Sequence, residues 1–102
     1  MYTVEFYEDK NGKSEIIEYL QCLQNNPNKN NNIKFKKIIS YIDNLSIYGL
    51  SLGEPYIKHL DKEIRELRPI RDRILFASWS NNKFILLNIF MKQTQKTPKK
   101  EI

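Results

Sequence analysis

Lys58, His59, Arg65, Arg68, Arg71 and Arg73 are six of the seven basic side chains in the stretch YIKHLDKEIRELRPIRDRILF at residues 56–76. The closing segment NIFMKQTQKTPKKEI adds Lys92, Lys96, Lys99 and Lys100. Other chemistries have little to work with. A single histidine excludes a two-histidine acid–base pair, and the single cysteine, Cys22, excludes an internal disulfide and a Cys-rich zinc site. Three glycines, Gly12, Gly49 and Gly53, build neither a P-loop nor a dinucleotide fingerprint. No clustered Asp/Glu motif presents metal ligands and no Ser-His-Asp spacing is visible, so no cofactor is expected. Any catalysis must come from Arg, Lys, His59 and a Tyr or Thr.

Such groups suit the cleavage of RNA. The 2′-hydroxyl can attack its own 3′-phosphate, so the substrate brings the nucleophile. The protein must align sugar and phosphate, neutralise charge on the five-coordinate phosphorus and move two protons. Arginine's planar fork fits phosphate oxygens. A lysine crowded by cations has its pKa pushed down and can act as a base. Each donor to the developing oxyanion contributes about 3–4 kcal/mol.

The elements that must position these groups follow from patterning. At 102 residues, 40% of them apolar, the chain is expected to form a single domain, residues 1–102. In YTVEFY, Tyr2, Val4 and Phe6 alternate with polar positions, which predicts a first strand. A helix is expected over about residues 14–24, with Ser14 as N-cap and Ile16, Leu20 and Leu23 on its inner face. NNPNKNNN, residues 25–32, reads as a polar connector. Phe35, Ile38, Ile42 and Leu45 mark a second helix that stops at Gly49. EIRELRPI, RDRILFASW and KFILLNIFM read as three further strands, the last two joined by a tight Asn81-Asn82 turn. The expected fold is α+β in the order β-αα-βββ, a helical hairpin on one face of a small, mainly antiparallel sheet, with the other face open to ligands. In that meander the start of RDRILF lies beside the end of NIFMK, which makes Arg73 and Lys92 neighbours.

Charge is divided unevenly. Residues 1–55 sum to −1 and residues 56–102 to +6, as in a protein with one polyanion-binding face. Charge kept only for solubility is the plain alternative. Individual residues have ordinary roles too: Arg68 and Arg71 can pair with Glu66 and Asp72, and His59 can be a solvated surface group. Lys99 and Lys100 can be tail charge. Trp79, Phe76 and Phe84 are expected in the core rather than as base-stacking platforms, and Cys22 is expected to pack. No stretch approaches the roughly 20 apolar residues of a membrane helix, and the acidic start MYTVEFYEDK is unlike a signal peptide, so the cytoplasm is expected.

KHLDKEIRELRPIRDRILF followed by LLNIFMKQTQKTPKKEI resembles the RelE/ParE toxin superfamily, closest to its phage-derived HigB-like branch. The shared features are the ELR box, the R-x-L-F strand and the F-x-K-Q-T-Q-K-T-P segment. The resemblance implies the toxin of a type II toxin–antitoxin pair, a metal-independent mRNA interferase acting with the ribosome. It also implies a HigA-like helix-turn-helix antitoxin, with operator DNA reached only through their complex. Carried over by position, Arg73 meets the scissile phosphate, and Arg68, Lys92 and Lys96 supply further basic groups. Lys58 and His59 fall in a basic loop before the sheet as proton-transfer candidates. Arg65, Arg71, Lys99 and Lys100 would add nucleic-acid-binding charge. Glu66 stands where the ribosome-dependent nucleases often have a lysine, and no tyrosine follows Lys96. Thr97-Pro98 reads as a helix start. The same superfamily leaves open a ParE-like gyrase inhibitor, and composition leaves open a non-catalytic nucleic-acid-binding module.

Overall fold

The computed structural model describes residues 1–92; the expectations for Lys96, Lys99, Lys100 and Thr97-Pro98 fall outside the described residues. In chain order the elements are β1 (Thr3–Phe6), α1 (Glu15–Asn25), α2 (Lys29–Tyr48), a 3-10 turn (Gly49–Leu52), β2 (Ile57–Asp61), β3 (Ile64–Leu67), β4 (Asp72–Ser80) and β5 (Lys83–Met91). The sheet order is β1-β5-β4-β3-β2. β1 runs parallel to β5, and the other pairings are antiparallel. The α+β class and the helical hairpin are as the sequence predicts.

Both helices form for local reasons. The Ser14 hydroxyl accepts from the Ile17 N–H at 3.3 Å, and the Asn28 side chain accepts from the Asn31 N–H at 2.9 Å. That second cap corrects the reading of residues 25–32 as connector. Lys29–Asn32 already belong to α2, because Asn28 satisfies a first-turn donor that would otherwise need water. The helices bury Ile16, Leu20, Leu23, Ile38, Ile42 and Leu45 against Ile57, Leu67, Ile74, Phe76, Phe84, Leu86 and Ile89 of the sheet. Each such side chain contributes about 1.5–3 kcal/mol. Phe76 and Phe84 meet edge to face at 5.6 Å.

Other expectations are corrected. There is a fifth strand, β2, and it takes in Lys58 and His59, so neither lies in a loop. A bulge between His59 and Asp61 breaks its alternation, which hides the strand from a period-two pattern. Trp79 is 69% exposed rather than in the core, at a bulge beside the β4–β5 turn. Asn81 and Asn82 make that turn, yet neither takes a positive φ. Cys22 is exposed, because it lies off the stripe formed by Ile16, Leu20 and Leu23.

Asp72 pairs not with Arg71 but with the helices. It is 2% exposed, accepts from the Tyr19 hydroxyl at 3.0 Å and lies 3.7 Å from the Lys34 ammonium. This ties α1 and α2 to the first residue of β4. Arg73, next along the pleat, is therefore sent to the opposite face from a fixed base. Among the described residues no helix is long and apolar enough to cross a membrane.

Candidate functional site

The site is a row across four strands. Lys58 on β2 stands opposite Glu66 on β3, Glu66 opposite Leu75 on β4, and Leu75 opposite Asn88 on β5. The neighbours Ile57, Leu67, Ile74 and Ile89 lie in the core beneath the helices, so pleating turns this row to the other face. At its end of the sheet Arg73 stands opposite Phe90, and the Lys92 N–H donates to the Arg71 carbonyl at 2.8 Å.

Glu66 sits at the centre of this face with no exposed surface. Its Oε1 lies 3.5 Å from Arg68 Nε and 3.8 Å from Arg73 Nε. The Arg73 fork is fixed a second way, because Nη1 donates to the carbonyls of Ile70 and Asp72, each at 2.8 Å. Ile70 has φ 55, a left-handed conformation that is strained for a β-branched residue. Such strain costs about 1–3 kcal/mol and is found at sites where the surroundings enforce it. Here the enforcing turn, closed by the Asp72 N–H donating to the Pro69 carbonyl at 3.0 Å, delivers a carbonyl to the guanidinium.

Lys92 is 8% exposed. Burial pushes its pKa below the usual lysine value; Arg73, Arg68 and Lys58 push it further and Glu66 opposes them. Cation crowding alone is thus the smaller part of the effect. Arg73 is lowered likewise, first by burial and then by Arg68. Four cations around one carboxylate leave the pocket strongly positive, a fit for a phosphodiester.

Arg68, Arg73, Lys92 and Lys58 come together, and the other described candidates, His59, Arg65 and Arg71, do not join them. His59 and Arg65 stand opposite one another and in register with Phe76, on the opposite pleat from Lys58 and Glu66. His59 is exposed, with Nε2 2.8 Å from the Lys62 carbonyl. Arg71 is exposed and borders a groove with Ile33, Lys34, Ile70 and Met91. The pairing of Glu66 with Arg68 is as the sequence reading allows, but its complete burial and its second partner, Arg73, were not foreseen. Within IREL Glu66 stands between Arg65 and Leu67 like any solvent-facing acid, and nothing local announces its burial. Among the described residues no group of three or more His, Cys, Asp or Glu is placed to share a metal ion.

Residues 18–102 match the family described as phage-derived protein Gp49-like (DUF891). The chain belongs to that family. It is a family of RelE/HigB-like toxins. No curated protein matches the chain. In this Gp49-like chain the match begins within α1 and takes in every residue of the cationic row, while β1 and Ser14 precede it.

Proposed function

We propose that this Gp49-like chain is the toxin of a type II toxin–antitoxin pair and acts as an endoribonuclease on messenger RNA at the ribosome, in the cytoplasm. The observation that carries the reading is the convergence of Arg68, Arg73, Lys92 and Lys58 around buried Glu66.

In this mechanism Arg68 and Arg73 bind the non-bridging phosphate oxygens, and Glu66 keeps both guanidiniums in place. Lys92, once it has given up its own loosely held proton to solvent, takes the proton from the 2′-hydroxyl as a neutral amine. A bond then forms from O2′ to phosphorus and the bond to O5′ breaks. Lys58, exposed at the rim, returns a proton to the departing O5′. The products are a 2′,3′-cyclic phosphate and a 5′-hydroxyl. Each oriented donor is worth about 3–4 kcal/mol of barrier. His59, turned to the other pleat, takes no part. A HigA-like helix-turn-helix antitoxin is the proposed silencing partner, and it alone would carry the pair to operator DNA.

Arg73→Ala tests the reading. It should keep its cooperative unfolding transition while losing both message cleavage on programmed ribosomes and growth arrest. A folded Arg73→Ala protein as toxic as the parent rejects the site. A message with 2′-deoxyribose at the cut position should resist cleavage. Growth arrest through DNA-damage signalling, with translation intact, would instead assign gyrase inhibition.

A further inference from the structure

The cationic row does not end at bare backbone. The Arg68 N–H donates to the Tyr56 carbonyl at 2.9 Å, which fastens the row to the residue just before β2. The Tyr56 ring lies against the ring of Tyr41 from α2, with centroids 5.4 Å apart and planes tilted by 59°. Tyr41 is half-buried and packs on the core, whereas Tyr56 is 38% exposed. Lys58 is two residues from Tyr56, about 7 Å along an extended chain.

A ribose–phosphate link held by Arg68 and Arg73 must put its flanking bases somewhere. At the β2 edge the backbone bond sets Tyr56 opposite Arg68, two residues before Lys58. A lone surface tyrosine would swing freely; Tyr41 backs Tyr56 and limits that motion, so little ordering is needed when a third ring arrives. Single-stranded RNA is commonly held by this combination of cations along the backbone and aromatic faces under the bases.

We propose that Tyr56, supported by Tyr41, is a stacking platform for the nucleobase next to the scissile link of single-stranded RNA. The proposal rests on the ribonuclease reading of the cationic row. Every base has a π-face, so the platform favours strongly stacking purines over pyrimidines without reading one letter.

The test measures cleavage of message on programmed ribosomes at rising protein concentration, for the parent, Tyr56→Phe and Tyr56→Leu. Tyr56→Leu should raise the half-saturating concentration about tenfold to a hundredfold, with a smaller change in the rate at saturation. Tyr56→Phe should stay near the parent. The decisive arm uses messages with one abasic nucleotide beside the cut: at the stacked position parent and Tyr56→Leu should become equal. Equal behaviour on intact message overturns the platform, and so does a Tyr56→Leu defect that persists undiminished at every abasic position, which is a folding effect. Tyr56→Leu that cuts normally but escapes a protein inhibitor also overturns it and makes the pair a protein contact. A parent that cuts no message removes the ribonuclease reading itself.

Discussion

Replacing Glu66 by glutamine changes one charge and almost no volume, so it isolates what the buried carboxylate does. Its Oε1 faces two guanidinium nitrogens at 3.5 and 3.8 Å. At an effective dielectric of about 20 each pair has a gross attraction of about 4–5 kcal/mol. Taking the carboxylate out of water costs several kcal/mol, and breaking a buried pair on one side typically loses about 3–5 kcal/mol net. Arg68 keeps 27% of its side chain exposed, against 11% for Arg73. Water can therefore take over part of its charge, and the lower figure of about 3 kcal/mol applies. For a domain of this size that is a fall in Tm of about 12–20 °C. Calorimetry at neutral pH measures it, and added salt should restore part of the loss by screening the uncompensated cations. Affinity for a non-cleavable 2′-O-methyl RNA should move the other way and tighten, since the pocket becomes more positive. A Glu66→Gln protein as stable as the parent, or more stable, would refute the view that this carboxylate holds the cations together.

Lys92 gives a pH signature. The unfolded chain keeps its proton up to about 10.5, while the fold releases it earlier, so the unfolded state binds more protons over that window and stability rises with pH through it. Measured by urea denaturation, the parent should therefore gain on Lys92→Gln as the pH rises toward the unfolded value of about 10.5; a constant difference would contradict the burial of a cation there. If Lys92 takes the 2′-hydroxyl proton, cleavage by the parent should also climb with pH over this range, and Lys92→Arg should flatten the climb. Gly49→Ala tests the α2 terminus: φ is 58 and a Cβ would come within 2.5 Å of the Tyr2 ring. The expected loss is about 2–4 kcal/mol from strain and overpacking. Gly12→Ala, at φ 78 with nothing within 4 Å, should lose only about 1 kcal/mol; equal urea midpoints for the two variants would disprove the clash.

What could be read without coordinates was whatever depends on a residue's near neighbours. Ser14, the stripe of Ile16, Leu20 and Leu23, and Gly49 announce the helices, since caps and periodicity act within a turn or two. The β4–β5 hairpin was legible for the same reason, and with it the gathering of Arg73 and Lys92 at one end of the hairpin, where Arg73 stands opposite Phe90 and Lys92 bonds to Arg71. β2 was not, because a bulge shifts its phase and its apolar positions, Ile57 and Leu60, sit three apart. Trp79 misled because hydrophobicity predicts burial only where a partner surface exists, and at the hairpin tip none of the described residues covers it.

The amino-acid order by itself determined that this chain has arginines and lysines to work with, gathered in its second half, and that a helical hairpin would back a meander. It could not determine which of those cations share a pocket. Lys58 and His59 are adjacent in sequence, yet the pleat of β2 sends them to opposite faces, and a strand invisible to local pattern therefore decides which is available. Glu66 likewise becomes an anchor only when Arg68 at the end of β3 and Arg73 at the start of β4 close on it. Burial and charge coupling are properties of atoms brought together across strands, and only the folded chain brings them together.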